Sequence, residues 1–281
     1  MSSDPQPAPN DTGPPPDHPA LWVVVFEDVS IRFDGPPVLE NVSFRVSPGE
    51  TRIVLGPAGV GKSVLLKLAN GLLRPDSGRI YLFGQEISAM PEHKLLALRT
   101  ITGMVFQESA LFDSLNVRDN VGYQLMERHL PADEIDGRVR EALRFVELED
   151  TYDLLPSSLS GGMRRRVAIA RAIIDQPEFL LYDSPTGGLD PVTSNTINEL
   201  IVKERDVFHT PAMLVTHRLQ DAFTMATHRY DEVQAKMVPL PDGQTHPTTT
   251  FLVLHEGKLI FDGTTHELIN SQDPYIKEFL A

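Results

Sequence analysis

From residue 21 onward, short apolar runs alternate with longer stretches that carry an apolar residue every three or four positions. Val23–Phe33 and Val38–Val46 read as strands, with Gly35-Pro36-Pro37 as the turn between them. Arg52–Leu55 is a short buried strand that runs into a Gly-rich turn, and a helical pattern follows it through Leu72, ended by Gly71 and Pro75. The runs Gly103–Phe106, Phe179–Tyr182 and Ala212–Val215 are strand-like, with helical patterns between them. That alternation predicts crossover connections and a mainly parallel sheet with helices on both faces. Between Ser114 and Leu155 the pattern is helical with no convincing strand, so a helical subdomain, taken as about residues 108–165, is expected within the α/β core. Phe251–Phe261 reads as a hairpin around Glu256-Gly257, with two short helices after it.

Two stretches break the pattern. Residues 1–20 are rich in proline and poor in large apolar side chains, too little to offset the entropy of ordering them. They are expected to be a disordered tail, with a Pro-rich partner ligand as the less favoured alternative. Residues 231–250, with Pro239-Leu240-Pro241-Asp242-Gly243 and Thr248-Thr249-Thr250, read as an added surface loop; decoration is the default reading and a partner or regulatory role the alternative.

Composition narrows the function. With 25 Lys plus Arg against 39 Asp plus Glu, the net charge of −14 argues against binding a nucleic acid through its phosphate backbone. There are no cysteines, which removes disulfides, thiolate metal sites and cysteine nucleophiles. No apolar run approaches the roughly 20 residues that cross a bilayer, and no basic-then-apolar leader is visible. A cytoplasmic protein is expected, with any membrane role peripheral.

The chemistry is concentrated in a few motifs. Gly56-Pro57-Ala58-Gly59-Val60-Gly61-Lys62-Ser63 fits the phosphate-binding pattern G-x-x-x-x-G-K-[ST], with a buried strand before it and a helix, starting near Gly61 and running on through Val64, after it. The glycines let successive backbone N–H groups face phosphate, and the helix adds its positive dipole end. Lys62 would reach the β- and γ-phosphates, and the Ser63 hydroxyl would ligate Mg²⁺. Such a loop needs a carboxylate at the end of a neighbouring strand, and Asp183 ends the run Phe179–Tyr182. Leu159-Ser160-Gly161-Gly162-Met163 places a capping Ser before a helix, followed by two glycines.

The P-loop, the Leu159–Met163 turn and Asp183 together resemble the ABC-type ATPases. The resemblance implies a P-loop ABC ATPase domain: an α/β, RecA-like mixed sheet core, an inserted helical subdomain and an N-terminal antiparallel β-subdomain. It implies ATP and Mg²⁺ as ligands. Residues 56–64 would hold the nucleotide, Phe33 would stack on adenine, and Ser160, Gly161 and Gly162 would contact ATP bound to a second copy of the chain. Gln107 matches the Q-loop glutamine that senses Mg²⁺ and the transporter partner, Asp190 the D-loop aspartate, and His217 the histidine facing the γ-phosphate. The implied partners are a second nucleotide-binding subunit and separate transmembrane permease subunits, at the inner face of the cell membrane. The run Gly103–Val121, with Ala110-Leu111-Phe112-Asp113-Ser114-Leu115 after the Q-loop, is similar to the Mla/Mce-associated lipid-transport ATPases. Met163 and the ending Asp273–Leu280 are similar to the same group. This points to lipid cargo and an Mce-type lipid-binding partner. An ATPase of a polar-solute importer is the alternative within transporters. A soluble clamp in DNA repair or translation is less favoured, because neither paired cassettes nor long coiled-coil insertions occur, and a GTPase because no N-K-x-D motif occurs.

One position departs from the family. Where most ABC ATPases carry a Glu after the magnesium Asp, this chain has Ser184, and a neutral hydroxyl is no general base near neutral pH. Hydrolysis could be slow, could draw on His217, Glu108 or the partner copy's Asp190, or could give way to an ATP-gated clamp with little turnover. Arg164, Arg165, Arg166 and Arg171 are expected to make salt bridges and packing contacts within the dimer and not to bind nucleic acid.

Overall fold

The computed structural model describes residues 19–281. The expectation for residues 1–20 therefore lies outside the described residues, apart from Pro19 and Ala20, which begin a single 3-10 turn. Strands β1 (Val24–Arg32) and β2 (Pro37–Val46) pair antiparallel. Next, β3 (Thr51–Leu55) is buried at every position, as a parallel strand covered on both faces must be, and it feeds helix α1 (Lys62–Ala69). Strands β4 (Ser77–Leu82) and β5 (Gln85–Glu86) join the first two in an antiparallel sheet ordered β2-β1-β4-β5. Helix α2 (Glu92–Thr100) then leads into β6 (Thr102–Val105).

The next stretch is helical: α3 (Val117–Glu127), α4 (Ala132–Phe145) and α5 (Gly161–Ile173). Asn116 caps α3 by accepting the Asp119 N–H at 2.8 Å. On α4 the buried residues Ile135, Val139, Ala142 and Leu143 recur at the helical period and face the core, while the acidic side faces water. The chain then returns through β7 (Phe179–Asp183), α6 (Pro191–Phe208), β8 (Ala212–Val215) and α7 (Leu219–Thr227). It ends with the hairpin β9 (His228–Asp231) and β10 (Lys236–Pro239), the hairpin β11 (Thr249–His255) and β12 (Lys258–Thr264), and helices α8 (Thr265–Ile269) and α9 (Pro274–Leu280).

The central sheet is ordered β12-β11-β3-β8-β7-β6, parallel except for the edge strand β12. Its side chains alternate between two cores. Ile53, Leu55, Leu180, Tyr182, Leu214, Phe251 and Val253 face one, shared with α5, α6 and the helical stretch. Val54, Leu181, Met213, Val215, Leu252 and Leu254 face the other, shared with α1 and the antiparallel sheet. The strict period of two explains why these strands read as continuous apolar runs.

Residues 231–250 differ from the surface loop expected of them, because they include β10 of a hairpin laid on α6. Two carboxylates of α6 hold it there. Glu199 accepts the Met237 N–H at 2.8 Å, and Asp206 accepts the Tyr230 N–H at 2.7 Å and faces His246 Nε2 at 3.3 Å. Burial works against the Asp206 charge, but its bonds from His246, Arg205 and Tyr230 hold the carboxyl far below the usual carboxylate range. Met237, Tyr230 and His246 lie more than 20 residues from the carboxylates they meet, so local pattern could not reveal these contacts.

Glu204, also on α6, is the reverse case. Burial pushes its carboxyl up to about 7, against the pull of a Thr210 hydrogen bond and Lys203. A carboxyl pKa raised on folding stabilises the folded state below the unfolded value and loses that contribution as pH rises through the folded one. Glu204→Gln is therefore expected to stabilise the protein by about 2–3 kcal/mol at about pH 8 and to change little near pH 4.5. Urea unfolding at the two pH values measures the difference.

Candidate functional site

The register of three neighbouring strands assembles the site. Val54 lies opposite Val215, and Val215 opposite Asp183. The ladder continues one step further, with the Thr216 N–H on the Val54 carbonyl at 3.1 Å and the Ser184 N–H on the Val215 carbonyl at 3.0 Å. The P-loop begins two residues after Val54, His217 stands two residues after Val215, and Asp183 ends its strand. All three therefore emerge at the carboxyl edge of one sheet, the usual place for ligands in parallel α/β sheets.

Gly56–Ser63 forms a loop in which Gly56, Gly59 and Gly61 all take positive φ. At Gly56 the backbone approach requires glycine: φ is +150° and a Cβ would lie 2.6 Å from the Leu254 carbonyl oxygen. Gly56→Ala is expected to lower stability by on the order of 1–3 kcal/mol, read by denaturant unfolding, and to weaken nucleotide binding with it. Gly61 caps α1 without a side-chain bond, so the first N–H groups of that helix are available to an anion. Lys62 is 7% exposed, and its Nζ donates to the Gly56 and Pro57 carbonyls at 2.8 and 2.7 Å. Burial lowers its pKa, and the charge of Asp183 opposes that shift.

Ser63 Oγ donates to Asp183 Oδ1 at 2.8 Å, which brings together two residues 120 apart in the sequence. A hydroxyl and a carboxylate at this separation are hard oxygen donors suited to Mg²⁺. Among the described residues no group of three or more His, Cys, Asp or Glu is arranged to hold a metal. A magnesium here would take its remaining ligands from phosphate and water, its habit in nucleotide sites.

Phe33 is 52% exposed and lines a cavity of about 480 Å³ together with Pro36, Val38, Gly59, Val60 and Gly257. The ring therefore opens onto the P-loop and is not part of the core. Ser160 caps α5 by accepting the Met163 N–H at 3.2 Å. Gly162 packs so closely on α6 that a Cβ would meet Thr193 Cγ2 at 2.4 Å, and Gly161 lies beside Leu189. This turn borders the Leu189-Asp190 segment and not the Phe33 cavity. Asp190 is the N-cap of α6: it accepts the Val192 and Thr193 N–H groups at 3.0 Å each and the Thr193 hydroxyl at 2.5 Å. These bonds, the Thr193 hydroxyl's first, hold its carboxyl below the usual range, which suits a cap and makes a poor base. Gln107 and His217 are both exposed at the same sheet edge.

Within one chain the arginines bond backbone carbonyls. Arg164 donates to the Leu159 carbonyl, Arg166 to those of Val146 and Glu147, and Arg171 to those of Ser109 and Ala110. These carbonyls lie in or beside loops, where no helix or strand partner takes them, and the guanidinium groups supply their hydrogen bonds. Arg165 matters most to the site. It is 4% exposed and donates to the carbonyls of Phe106, Gln107 and Ser184, so one guanidinium ties α5 to the Q-loop segment and to the end of β7. The basic run signalled a function, but not its target. A second cluster went unread in the sequence. Asp221, 3% exposed, accepts from the Thr186 hydroxyl at 2.5 Å and from Asn198 at 3.0 Å, and pairs with Arg218 at 3.2 Å. It fixes the turn after Ser184 against α6 and the segment after His217.

Comparison with known proteins agrees with this geometry. The sequence profile of the ABC transporter family matches residues 39–187. The chain is 37% identical over 270 residues to the chloroplastic protein Trigalactosyldiacylglycerol 3 of Arabidopsis thaliana, covering 92% of this chain and 73% of that one. It is 32% identical over 259 residues to MlaF of Escherichia coli K12, the ATP-binding protein of an intermembrane phospholipid transport system, covering 92% of this chain and 88% of that one. Among solved structures, an ATP-binding cassette in a dimeric post-hydrolysis state bound to ADP and Pi is similar, with a TM-score of 0.71 and 26% identity over 86% of this chain and 98% of that one. Its fold, its phosphate loop and these matches all lead to one conclusion: the chain belongs to the ABC transporter family, as an ATP-binding, ATP-hydrolysing subunit.

Proposed function

We propose that this ATPase powers the movement of phospholipid, or of a closely related lipid, through a separate membrane permease of the Mla/Mce type. The observation that carries the reading is the match over nine-tenths of the chain to an ATP-binding protein of a phospholipid transport system. None of the described helices is long and apolar enough to cross a membrane, so a permease would have to be another subunit. Residues 21–281 would act as one cassette docked at the inner face of the cell membrane, with the helical stretch of about 108–165 relaying its motion. Two copies would close around two nucleotides, each Ser160–Gly162 turn facing the P-loop of the other.

Within one site, Gly56–Val64 and Lys62 would bind and orient the phosphates while Phe33 stacks on the base. A magnesium ion held by Ser63 and Asp183 would supply neutralisation of charge on the β- and γ-phosphate oxygens. Gln107 and His217 would line the γ-phosphate side. Asn120 supports the relay: fully buried, it bonds the N–H and carbonyl of Phe112 and the carbonyls of Leu115 and Asn116, which stiffens the segment after the Q-loop.

Purification of the assembled complex from native membranes tests the reading. The expected result is an integral permease subunit with bound phospholipid, and ATP hydrolysis that responds to phospholipid. Recovery with an amino-acid-binding protein and no lipid would overturn the cargo while leaving the ATPase assignment intact.

A further inference from the structure

The ladder that joins β6 to β7 ends at the site. The two strands pair as far as Val105 opposite Tyr182, one residue short of Phe106 and Asp183. From there a side chain carries the connection. Arg165 Nη1 donates to the carbonyls of Phe106 at 3.3 Å and Ser184 at 3.2 Å, and its Nη2 donates to that of Gln107. A planar fork holds two segments at once, whereas an ammonium or a carboxamide presents its donors from one atom. Burial opposes the charge: the guanidinium is 4% exposed, and its Nε is left without a partner. The two segments also meet each other. A Cβ at Gly187 would lie 3.4 Å from Ser184 Cβ and 3.8 Å from Gln107 Cγ, so both side chains border one turn.

Helix α5 brings more than Arg165 to this place. The Ser160–Gly162 turn stands at its N-terminus, about one and a half helical turns before Arg165. Further along, Arg171 donates to the carbonyls of Ser109 and Ala110 at 2.9 and 2.8 Å. Both residues take positive φ, +65° and +47°, a conformation that non-glycine residues keep only when their surroundings hold them. The segment 106–110 is therefore held along its length by α5 and stands where that helix stands. We propose that Arg165 is a positioning residue for hydrolysis, setting the backbones of Gln107 and residue 184 against the phosphates according to the placement of α5. The role rests on Gln107 standing at the γ-phosphate side, as proposed for this ATPase. A displacement of the Ser160–Gly162 turn would reach both residues through one rigid helix and one guanidinium.

Steady-state phosphate release by the assembled complex tests the role, read in the native chain and again in the faster background expected of Ser184→Glu. Arg165→Met, close in length but without donors, is expected to lower kcat by about 10²-fold, the effect of about 1 Å of misplacement. KM for ATP should stay within about threefold, because none of these bonds goes to the P-loop. Arg165→Lys keeps the charge on a single donor atom and should remain about tenfold below the parent in kcat. Arg166→Met is the structural control. Its guanidinium caps the Val146 and Glu147 carbonyls from the same helix, so its loss should lower the melting temperature and leave kcat unchanged. An Arg165→Met protein that melts like this control yet keeps kcat within about threefold of the parent would overturn the role. So would a KM raised about tenfold, which marks a binding defect, or an Arg165→Lys protein equal to the parent. Should Arg165→Met not fold, Arg165→Lys decides alone: a lowered kcat at constant KM supports the role, and a parental kcat overturns it. Gln107→Ala is the reference for the site. An unchanged kcat there overturns the placement of Gln107, whereas a lowered one beside a parental Arg165→Met overturns only the role of Arg165.

Discussion

Ser184→Glu is expected to raise the rate of ATP hydrolysis by about 10²–10⁴-fold, the usual worth of a positioned general base. The backbone at this position is already fixed. The Ser184 N–H bonds the Val215 carbonyl at 3.0 Å, and its own carbonyl takes the Gly187 N–H at 2.9 Å and Arg165 at 3.2 Å. These backbone bonds hold its φ at +46°. Directly after Asp183, a carboxylate would stand beside the residues assigned to magnesium and phosphate. Arg165 would help to keep it ionised: burial penalises that guanidinium, and the charge of Asp183 already acts on it in the opposite sense. Phosphate release by the assembled complex measures the effect, with Ser184→Gln as the neutral control of equal size. A rate within about threefold of the parent would assign the base to His217 or Glu108 instead, because Asp190 is committed to capping α6.

Lys62→Ala is expected to lower hydrolysis by about 10²–10³-fold, the typical loss when one preorganised donor to developing negative charge is removed. The effect should be large because Lys62 supplies a positive side chain inside the P-loop of a chain with a net charge of −14. Its amine is held over the loop by the Gly56 and Pro57 carbonyls, so it need not be ordered when phosphate arrives. Stability should move by no more than about 1 kcal/mol, since the two lost hydrogen bonds are offset by relief from burying a charge. Thermal melting of the nucleotide-free variant separates the two readouts. Activity within about threefold of the parent would remove Lys62 from the site.

Much of this arrangement was legible in the sequence, because motif and strand coincide. A P-loop must follow a buried strand, and Arg52–Leu55 precedes Gly56; a magnesium carboxylate must end another, and Phe179–Tyr182 precedes Asp183. What stayed hidden depends on partners distant in the chain. The 231–250 segment looked like a loop because Glu199 and Asp206, which hold its hairpin to α6, lie on another element. The arginines' own targets within the chain were hidden because their acceptors are loop carbonyls, which have no residue-type signal.

By itself, the sequence determined the alternation of buried strands and helices, the phosphate loop and the absence of a carboxylate at residue 184. These are local properties of residue type and spacing, fixed by the periodicity of the backbone and by what glycine allows. Only the tertiary structure decided that Ser63 touches Asp183, that Arg165 links three segments, and that one Glu204 carboxyl oxygen is buried without a partner. Those facts come from strand register and helix packing, in which burial raises the cost of any polar atom left without a partner.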